Sequence, residues 1–408
     1  DELQPTNRQL MKGQAMPEPP VYRTAQFSYV LPDRRFFRSG RGGAVSHAIG
    51  IIDGLHHNRA LANVVVGERG KEMLIDMASL RSDTIQEVNA AIPDFVPFAF
   101  EVRALQAAIK SNANIILFRK TWRSLITLFM LSRPLPGKKL IAEVNGLSLQ
   151  HWRNKRLGSL VYIAIRVLHR LALRQVDGVY VVSNALKEEL VNGFLGLPSH
   201  RVRVIPNGSP IRAIGATIKP DTPVRFVYFG KFQHYNEFQN LVVAFDHARR
   251  KSPVACELVF VGFGPEDPTI RGLANATKGV FAYGPMTIGS LASSGIITKN
   301  SWGVVPVGDN DDAKYLSPIK LFDYLALGMP SIVSSTVDLS CADLSPEVLI
   351  RYQAGDIPDL TKSLLHAATS VSAAPPNSAL IKDNLARNSW KARMADLVSW
   401  VERLDDQK

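Results

Sequence analysis

A lysine and an aspartate three residues apart form the clearest candidate binding pair in the sequence. Lys320 and Asp323 lie in the segment Ser-Pro-Ile-Lys-Leu-Phe-Asp-Tyr-Leu-Ala-Leu-Gly-Met-Pro, residues 317–330. Residues three apart share one face of a helix. A cation near the helix start can bind a phosphate, and a carboxylate one turn later can accept hydrogen bonds from ribose hydroxyls. The alternative is a solvated Lys–Asp pair on a surface helix.

The same segment carries the signals of a short helix. Ser317 suits the N-cap and Pro318 the first helical position. Gly328 and Pro330 suit the helix end. We therefore predict a helix over residues 318–327, with the lysine and the aspartate near its positive end.

Two glycine-rich loops are further candidates for phosphate binding. Residues 39–44 (Ser-Gly-Arg-Gly-Gly-Ala) precede a predicted helix, and residues 261–265 (Val-Gly-Phe-Gly-Pro) follow a predicted strand. Glycine lets the backbone approach a ligand, and a helix start presents free N–H groups to an anion. Each loop, taken alone, is explained equally well as a tight turn.

The elements that must position these residues alternate between short apolar runs and amphipathic stretches. The predicted strands are 25–31, 62–66, 115–118, 140–144, 179–182, 224–229, 258–261, 279–281, 303–307 and 331–333. The predicted helices are 43–57, 99–111, 121–132, 152–175, 184–192, 237–250, 289–298 and 318–327, with one or two more in 378–404. Residues 338–375 show less regular patterning. This alternation predicts βαβ units and parallel sheets covered by helices.

A Pro- and Gly-rich break at residues 204–210 divides the pattern into two halves. The predicted organisation is a flexible tail 1–20, a first domain 21–207, a second domain 208–380, and a C-terminal helix 381–408 that packs back toward the first domain. The predicted fold class is α/β, with two doubly wound Rossmann-like domains facing a central cleft. Ligands of such folds bind beyond the carboxyl ends of the strands.

Composition excludes several classes of protein. The 408 residues are 46% hydrophobic and 21% charged, so the chain can bury large cores, and its net charge of +12 favours an anionic partner. Two cysteines exclude a disulfide scaffold and a Cys-rich zinc site. No apolar run approaches the roughly 18 residues of a membrane span, and the start lacks the pattern of a signal peptide. Because the chain begins with Asp1, we expect processing or a longer parent protein.

The positive charge concentrates in residues 152–174. Apolar residues alternate there with Trp152, Arg153, Lys155, Arg156, Arg166, His169, Arg170 and Arg174. A basic, apolar helix can lie on an anionic membrane, so we predict peripheral attachment; the alternative is a core-facing helix with a basic outer face. No nucleic-acid partner is expected, because no binding motif accompanies the charge.

No metal site is expected. Residues 309–312 (Asp-Asn-Asp-Asp) contain carboxylates that can hold a hard cation, but acidic loops are usually only solvated. The nine histidines lack metal-ligand spacing.

Six segments, taken in order, resemble one family of proteins. They are Gly42-Gly43-Ala44 with His47, Val182 to Lys187 (VSNALK), Ile205 to Gly208 (IPNG), Phe229-Gly230-Lys231, Gly262 to Pro265 (GFGP), and Ser317 to Pro330. Over residues 25–335 the chain resembles GT-B glycosyltransferases, closest to the family-4 group of retaining, nucleotide-sugar-dependent enzymes. The resemblance implies that the second domain binds the sugar donor.

The resemblance also implies roles for individual residues. Asp323 stands where a Glu usually holds the donor ribose, Lys231 where a basic residue meets the diphosphate, and Lys320 near the phosphates. It implies the catalytic residues Lys231, Lys320 and Asn145. It implies the donor-binding residues Gly42, Gly43, Gly230, Lys231, Gly262, Phe263, Gly264, Ser317, Pro318, Ile319, Lys320, Leu321 and Asp323.

Three positions depart from the family pattern. Tyr315 occupies the place of a glutamate that touches the donor sugar, and Asn236 occupies the place of a second phosphate-binding lysine. Asn145 ends a predicted strand where the family often has a histidine near the reacting carbon.

The implied activity is sugar transfer from a nucleotide-diphosphate sugar to a hydroxyl acceptor with retention of configuration. Lysines and backbone amides would stabilise the leaving diphosphate without a metal or a further cofactor. The expected acceptor is a glycan or lipid-linked glycan of cell-surface polysaccharide synthesis, handled in the cytoplasm or at the inner face of the membrane. The alternative is a GT-B protein that binds or epimerises a nucleotide sugar without transfer.

Overall fold

The computed structural model describes most of the chain. The described residues are 25–37, 42–67, 69–78, 80–88, 99–120, 135–146, 158–193, 195–210, 214, 223–310, 313–370 and 378–404. The predicted tail 1–20 and the predicted helix 121–132 lie outside them.

The first half of the chain forms a seven-stranded parallel sheet. Its strands are β1 (Phe27–Val30), β2 (Leu61–Val66), β3 (Ile85–Glu87), β4 (Ile115–Arg119), β5 (Lys139–Val144), β6 (Gly178–Val181) and β7 (Val202–Val204). The strand order is β3-β2-β1-β4-β5-β6-β7. The winding direction changes between β1 and β4, and that change opens a crevice at the carboxyl ends of these strands.

The second half repeats this architecture with six parallel strands. They are β8 (Val224–Lys231), β9 (Cys256–Phe263), β10 (Val280–Tyr283), β11 (Ser301–Val305), β12 (Ser331–Ser334) and β13 (Leu349–Tyr352). The order is β10-β9-β8-β11-β12-β13, so the switch point lies between β8 and β11. Two parallel, doubly wound sheets confirm the predicted fold class.

Helices cover both faces of each sheet. Within the described part of the chain, those of the first half are α1 (Gly43–His57), α2 (Gly70–Ala78), α3 (Ala99–Lys110), α4 (Gly158–Gln175) and α5 (Asn184–Val191). Those of the second half are α6 (Phe238–Lys251), α7 (Asp267–Ala276), α8 (Ile288–Ser293), α9 (Ile319–Ala326), α10 (Ile357–Ser370), α11 (Ser378–Arg387) and α12 (Trp390–Glu402). None of the described helices is long and apolar enough to cross a membrane.

The last helix, α12, packs into the core of the first half. Trp390, Met394, Leu397 and Val401 are buried in the same cluster as the strands β1 to β7. A side chain at Gly50 on α1 would overlap the Trp390 indole, so this glycine is required for the close approach of α1 and α12. The domain boundaries themselves stay a prediction.

Several elements differ from the sequence-based expectations. The three short strands β3, β7 and β13 have three or four residues each, too few for an alternating pattern to stand out. Three helices, α2, α7 and α10, were also not predicted, and α10 with β13 corrects the expectation of irregular structure over 338–375. Conversely, α8 ends at Ser293 rather than at residue 298.

Candidate functional site

The start of α9 lies where the carboxyl edges of the two sheets meet. The helix follows β11, and three loops from the first sheet reach it. Ser183 after β6 donates a hydrogen bond to the carbonyl of Tyr315 (3.0 Å), and Asn207 after β7 donates its backbone N–H to Ser317 Oγ (3.0 Å). Ile319 lies 3.6 Å from the position of a Cβ on Gly43. Gly43, at the end of the first glycine-rich loop, therefore lies beside the start of α9.

Ser317 does not cap the helix as predicted. The helix begins at Ile319, and Pro318 occupies the cap position without a side-chain hydrogen bond to the first turn. The hydroxyl of Ser317 instead accepts the amide of Asn207. Because no side chain caps the first turn, the N–H groups of Ile319 and Lys320 are available to an anion, whereas that of Leu321 donates to the Pro318 carbonyl (3.3 Å).

Lys320 lies beside the loop that ends β8. Its Cε is 3.4 Å from the position of a Cβ on Gly230, an ordinary contact distance, and the φ of 136° at Gly230 favours glycine there. Its ammonium is 5.0 Å from the centre of the Tyr228 ring, a cation–π distance. The Tyr228 hydroxyl in turn donates to the carbonyl of Lys231 (2.7 Å). Tyr228, which the sequence reasoning missed, therefore connects the two predicted lysines.

Burial shifts the pKa values of Lys320 and Asp323 in opposite directions. It lowers the pKa of Lys320 to about 8, although the neighbouring Asp323 opposes the shift. It raises the pKa of Asp323 to about 7, although Lys320 opposes that shift. A bound anion would favour the ammonium form of Lys320. Hydroxyl groups that donate hydrogen bonds would favour the carboxylate form of Asp323.

Packing requires the two glycines at the end of β9, Gly262 and Gly264. Gly230 and Gly262 are partners in the strand register, and a side chain on Gly262 would collide with the Gly230 carbonyl. A side chain on Gly264 would collide with the backbone of Phe232. Close packing therefore explains Gly262 and Gly264. The end of β8 lies at the switch point, and the end of β9 lies one strand away from it. Lys231 and Phe263 are exposed at this edge.

Asn145 directly follows β5 in the first half of the chain, at the strand end predicted from the sequence. Its amide donates to Glu143, and its Nδ2 is 3.5 Å from His47 Nε2. Glu143 is fully buried and also contacts Arg119 (3.0 Å) and the Tyr29 hydroxyl (2.7 Å). Burial would raise the pKa of Glu143, but Arg119 and His47 outweigh it and hold the pKa at about 2.

Sequence reasoning missed Glu143 as a site residue because it sits in an apolar strand. The glutamate within the apolar run Leu-Ile-Ala-Glu-Val could have indicated the site, because a buried carboxylate requires hydrogen-bonding or charged partners. The register of the sheet supplies one of them by pairing Glu143 with Arg119.

The two other departures from the family pattern have structural roles. Asn236 is buried and donates to the carbonyl of Gln233 (3.1 Å) and to the Tyr228 hydroxyl (3.4 Å), so it supports Tyr228 from behind. Tyr315 packs against the core of the first half, and the Lys314 ammonium lies 5.1 Å from its ring centre.

The acidic loop gives no metal centre among the described residues. No group of three His, Cys, Asp or Glu side chains is close enough there to hold an ion. Asp311 and Asp312 lie outside the described part of the chain.

Comparison with solved structures identifies the fold as GT-B. The lipopolysaccharide outer core galactosyltransferase WaaB has 14% identity and a TM-score of 0.60, with 94% of this chain and 99% of that one covered. Anabaena HepE in complex with UDP and glucose has 13% identity and a TM-score of 0.63, with 92% and 99% covered. Sucrose-phosphate synthase from Thermosynechococcus elongatus has 16% identity and a TM-score of 0.63, with 94% and 100% covered. The curated protein sequences contain no match.

A sequence comparison adds a similarity within the first half of the chain. The profile of Glycosyltransferase Family 4 matches residues 41–211, the part that contains the Gly-Gly loop, His47 and Asn207. Residues 41–211 are therefore similar to this glycosyltransferase family, and the described structure has the GT-B fold.

Proposed function

We propose that the protein transfers a sugar from a nucleotide-diphosphate sugar to a hydroxyl acceptor with retention of configuration. One observation carries the proposal: Lys320, Asp323 and the uncapped first turn of α9 lie together beside Gly230 at the switch point of the second sheet. This arrangement offers a cation and free amides to a diphosphate, and a carboxylate to a ribose.

The chemistry follows from the charge that develops during transfer. As the bond between the anomeric carbon and the diphosphate breaks, negative charge grows on the leaving group. Lys320, the exposed Lys231 and the amides of α9 would stabilise it. A phosphate oxygen of the leaving group would assist removal of the acceptor proton, and attack from the same face would retain configuration. The glycines at 42 and 43 would let the first domain approach the diphosphate.

A binding screen tests the donor half of the proposal. HepE was solved with UDP and glucose, which makes UDP and UDP-glucose the first probes, followed by ADP, GDP and their sugars. A bound nucleotide should raise the melting temperature by mass action. The variants K320A and K231A should weaken this effect, and K278A, at an exposed lysine away from α9, is the matched control. Binding unchanged in both site variants would contradict the assignment.

Product analysis tests the reaction. With a donor identified, NMR of the product made from an α-linked donor should show an α-linkage, since retention preserves the anomeric configuration. Full activity in excess EDTA is expected, because lysines and amides take the place of a metal.

A second candidate is binding or epimerisation of a nucleotide sugar without transfer. It is favoured by Tyr315, which replaces the family's sugar-contacting glutamate and packs toward the first half. Conversion of the donor without any acceptor would support this candidate, whereas strict dependence on an acceptor supports transfer.

We further propose that the acceptor is a glycan carried on a lipid, and that α4 attaches the protein to an anionic membrane. Ile163, Val167 and Leu171 are 54%, 41% and 43% exposed and lie four residues apart on one face. Arg170 and Arg174 are on the same helix. Apolar side chains flanked by cations suit an anionic bilayer surface.

Flotation with vesicles tests the membrane proposal. Binding should require anionic lipid and should be lost when the three exposed apolar residues are changed to serine. The matched control changes the exposed Val243 on α6 to serine. Flotation that is independent of anionic lipid, or unaffected by the α4 changes, would contradict it.

A further inference from the structure

His47 lies buried between the two halves of the site. It is 3% exposed on α1, and its two ring nitrogens face different partners. Nε2 is 3.0 Å from the Glu143 carboxylate, and Nδ1 contacts the side-chain oxygen of Asn207. The ring of Tyr180 stacks on the imidazole at 6.5 Å, and the edge of Trp390 meets it at 5.1 Å. The imidazole is therefore held in one orientation.

The hydrogen bonds of this cluster have a fixed direction. Asn207 Nδ2 donates to the carbonyl oxygen of Ser317, which can only accept, so Asn207 must turn its Oδ1 toward His47. The Glu143 carboxylate is also an acceptor. Both ring nitrogens of His47 therefore face hydrogen-bond acceptors. Arg119 and Tyr29 satisfy Glu143 from the other side.

This series of contacts ends at the residues before α9. Asn207 binds Ser317 twice, through its backbone N–H to the hydroxyl and through its side chain to the carbonyl. Ser317 is two residues before the first residue of α9 and three before Lys320. A buried carboxylate in the first sheet is thus connected through one histidine and one asparagine to the loop that carries the proposed diphosphate site.

We propose that His47 is a positioning residue that acts through Asn207 to hold the first turn of α9 in its binding position. The proposal rests on the proposed function for the identity of the ligand. It adds that the first sheet determines the geometry of the donor site before any ligand binds. His47 itself contacts no substrate in this assignment.

The alternative is that the cluster only stabilises the core. Loss of stability would lower the amount of active protein, and hence the apparent turnover, while the remaining folded molecules would keep their affinities. Misplacement of α9 would instead raise the KM for the donor and leave the KM for the acceptor unchanged. The split between the two KM values therefore distinguishes the two explanations.

The experiment uses the full chain with the variants H47Q, N207A and the double variant. A glutamine at position 47 can donate to only one of the two partners, and N207A removes the side-chain contact with Ser317 while leaving Glu143 paired. N192A, at an exposed asparagine of the first half, is the matched control. If H47Q fails to fold, N207A alone carries the test.

Hydrogen exchange provides the first measurement, without any ligand. Amides of residues 322–326, the first in α9 with intrahelical partners, should exchange about tenfold faster in H47Q and N207A than in the wild type or N192A, the loss expected for one hydrogen bond. Steady-state kinetics provide the second measurement. The donor KM should rise about tenfold in each variant, and the double variant should match N207A, since both changes break one series of contacts.

The outcomes separate the two proposals. Wild-type exchange at residues 322–326 in N207A would overturn the positioning role, whatever the protein binds. Faster exchange spread evenly over the core of the first half would also overturn the positioning role, because it would indicate a general loss of stability. If the wild type binds none of the nucleotides tested but the local acceleration appears, the positioning role stands and the proposed donor class fails.

Discussion

The affinity of the protein for a nucleoside diphosphate should fall as the pH rises above 8. Burial lowers the pKa of Lys320 to about 8 in the unliganded protein, against an ordinary value of 10.5. A bound diphosphate stabilises the ammonium form and restores a high pKa, so binding takes up a proton at alkaline pH. That proton comes from the solvent, where the proton activity falls as the pH rises. The affinity for the diphosphate therefore decreases.

The size of the effect follows from the fraction of Lys320 that is charged. With a pKa of about 8, about half of the lysines carry a proton at pH 8 and about 3% at pH 9.5. If only the charged form binds, the affinity falls about fifteenfold over this interval, or about 1.6 kcal/mol. The interval lies above the pKa of about 7 of Asp323, so that carboxyl stays ionised throughout.

Isothermal titration with UDP at pH 8 and pH 9.5 measures this change. Repeating the pH 9.5 titration in buffers of different ionisation enthalpy reports the proton uptake directly. The matched control is K320R, because a guanidinium stays charged across the whole interval. Ionisation of the nucleotide itself is common to both proteins and cancels in the comparison.

Parallel pH profiles for the wild type and K320R would refute the reasoning. They would mean that Lys320 is either fully charged over the interval or not in contact with the diphosphate. A steep profile in the wild type with a flat one in K320R is the expected result.

Three further predictions concern packing, buried charge and the ribose contact. A G50A variant should lose about 1–3 kcal/mol of unfolding free energy in urea titrations, because its methyl group overlaps Trp390, whereas G272A, whose Cβ meets no atom within 4 Å, should be neutral or slightly stabilising. The pKa of Glu143 is about 2 in the folded protein and 4.5 as its ordinary value. Ionised Glu143 therefore contributes about 3 kcal/mol to the unfolding free energy above pH 4.5, and this contribution is lost as the pH falls toward 2. E143Q should be less stable than the wild type at pH 7, and the difference should narrow in urea titrations at pH 3. D323A should weaken binding of UDP about tenfold in calorimetry, and D323E should restore it in part; equal binding by the two variants would contradict a ribose contact.

Local sequence determined most of the architecture. Runs such as Leu-Ala-Asn-Val-Val-Val and Ile-Ile-Leu-Phe-Arg form buried parallel strands because their apolar side chains must be covered on both faces. The helix that carries Lys320 and Asp323 was predicted to within one residue at each end, since Pro318 and Gly328 limit it through backbone geometry alone.

Only the tertiary structure decided which side chains surround Lys320 and Asp323. Spacing placed Lys320 and Asp323 on one face, but the Tyr228 ring beside the Lys320 ammonium comes from β8, about ninety residues away in the sequence. Likewise, no local pattern joins Glu143, His47 and Asn207. They meet because the sheet register, the packing of α1 and the crossing between the two sheets bring distant segments together. Periodicity records which face of an element is buried, whereas the partner on that face depends on how the elements pack.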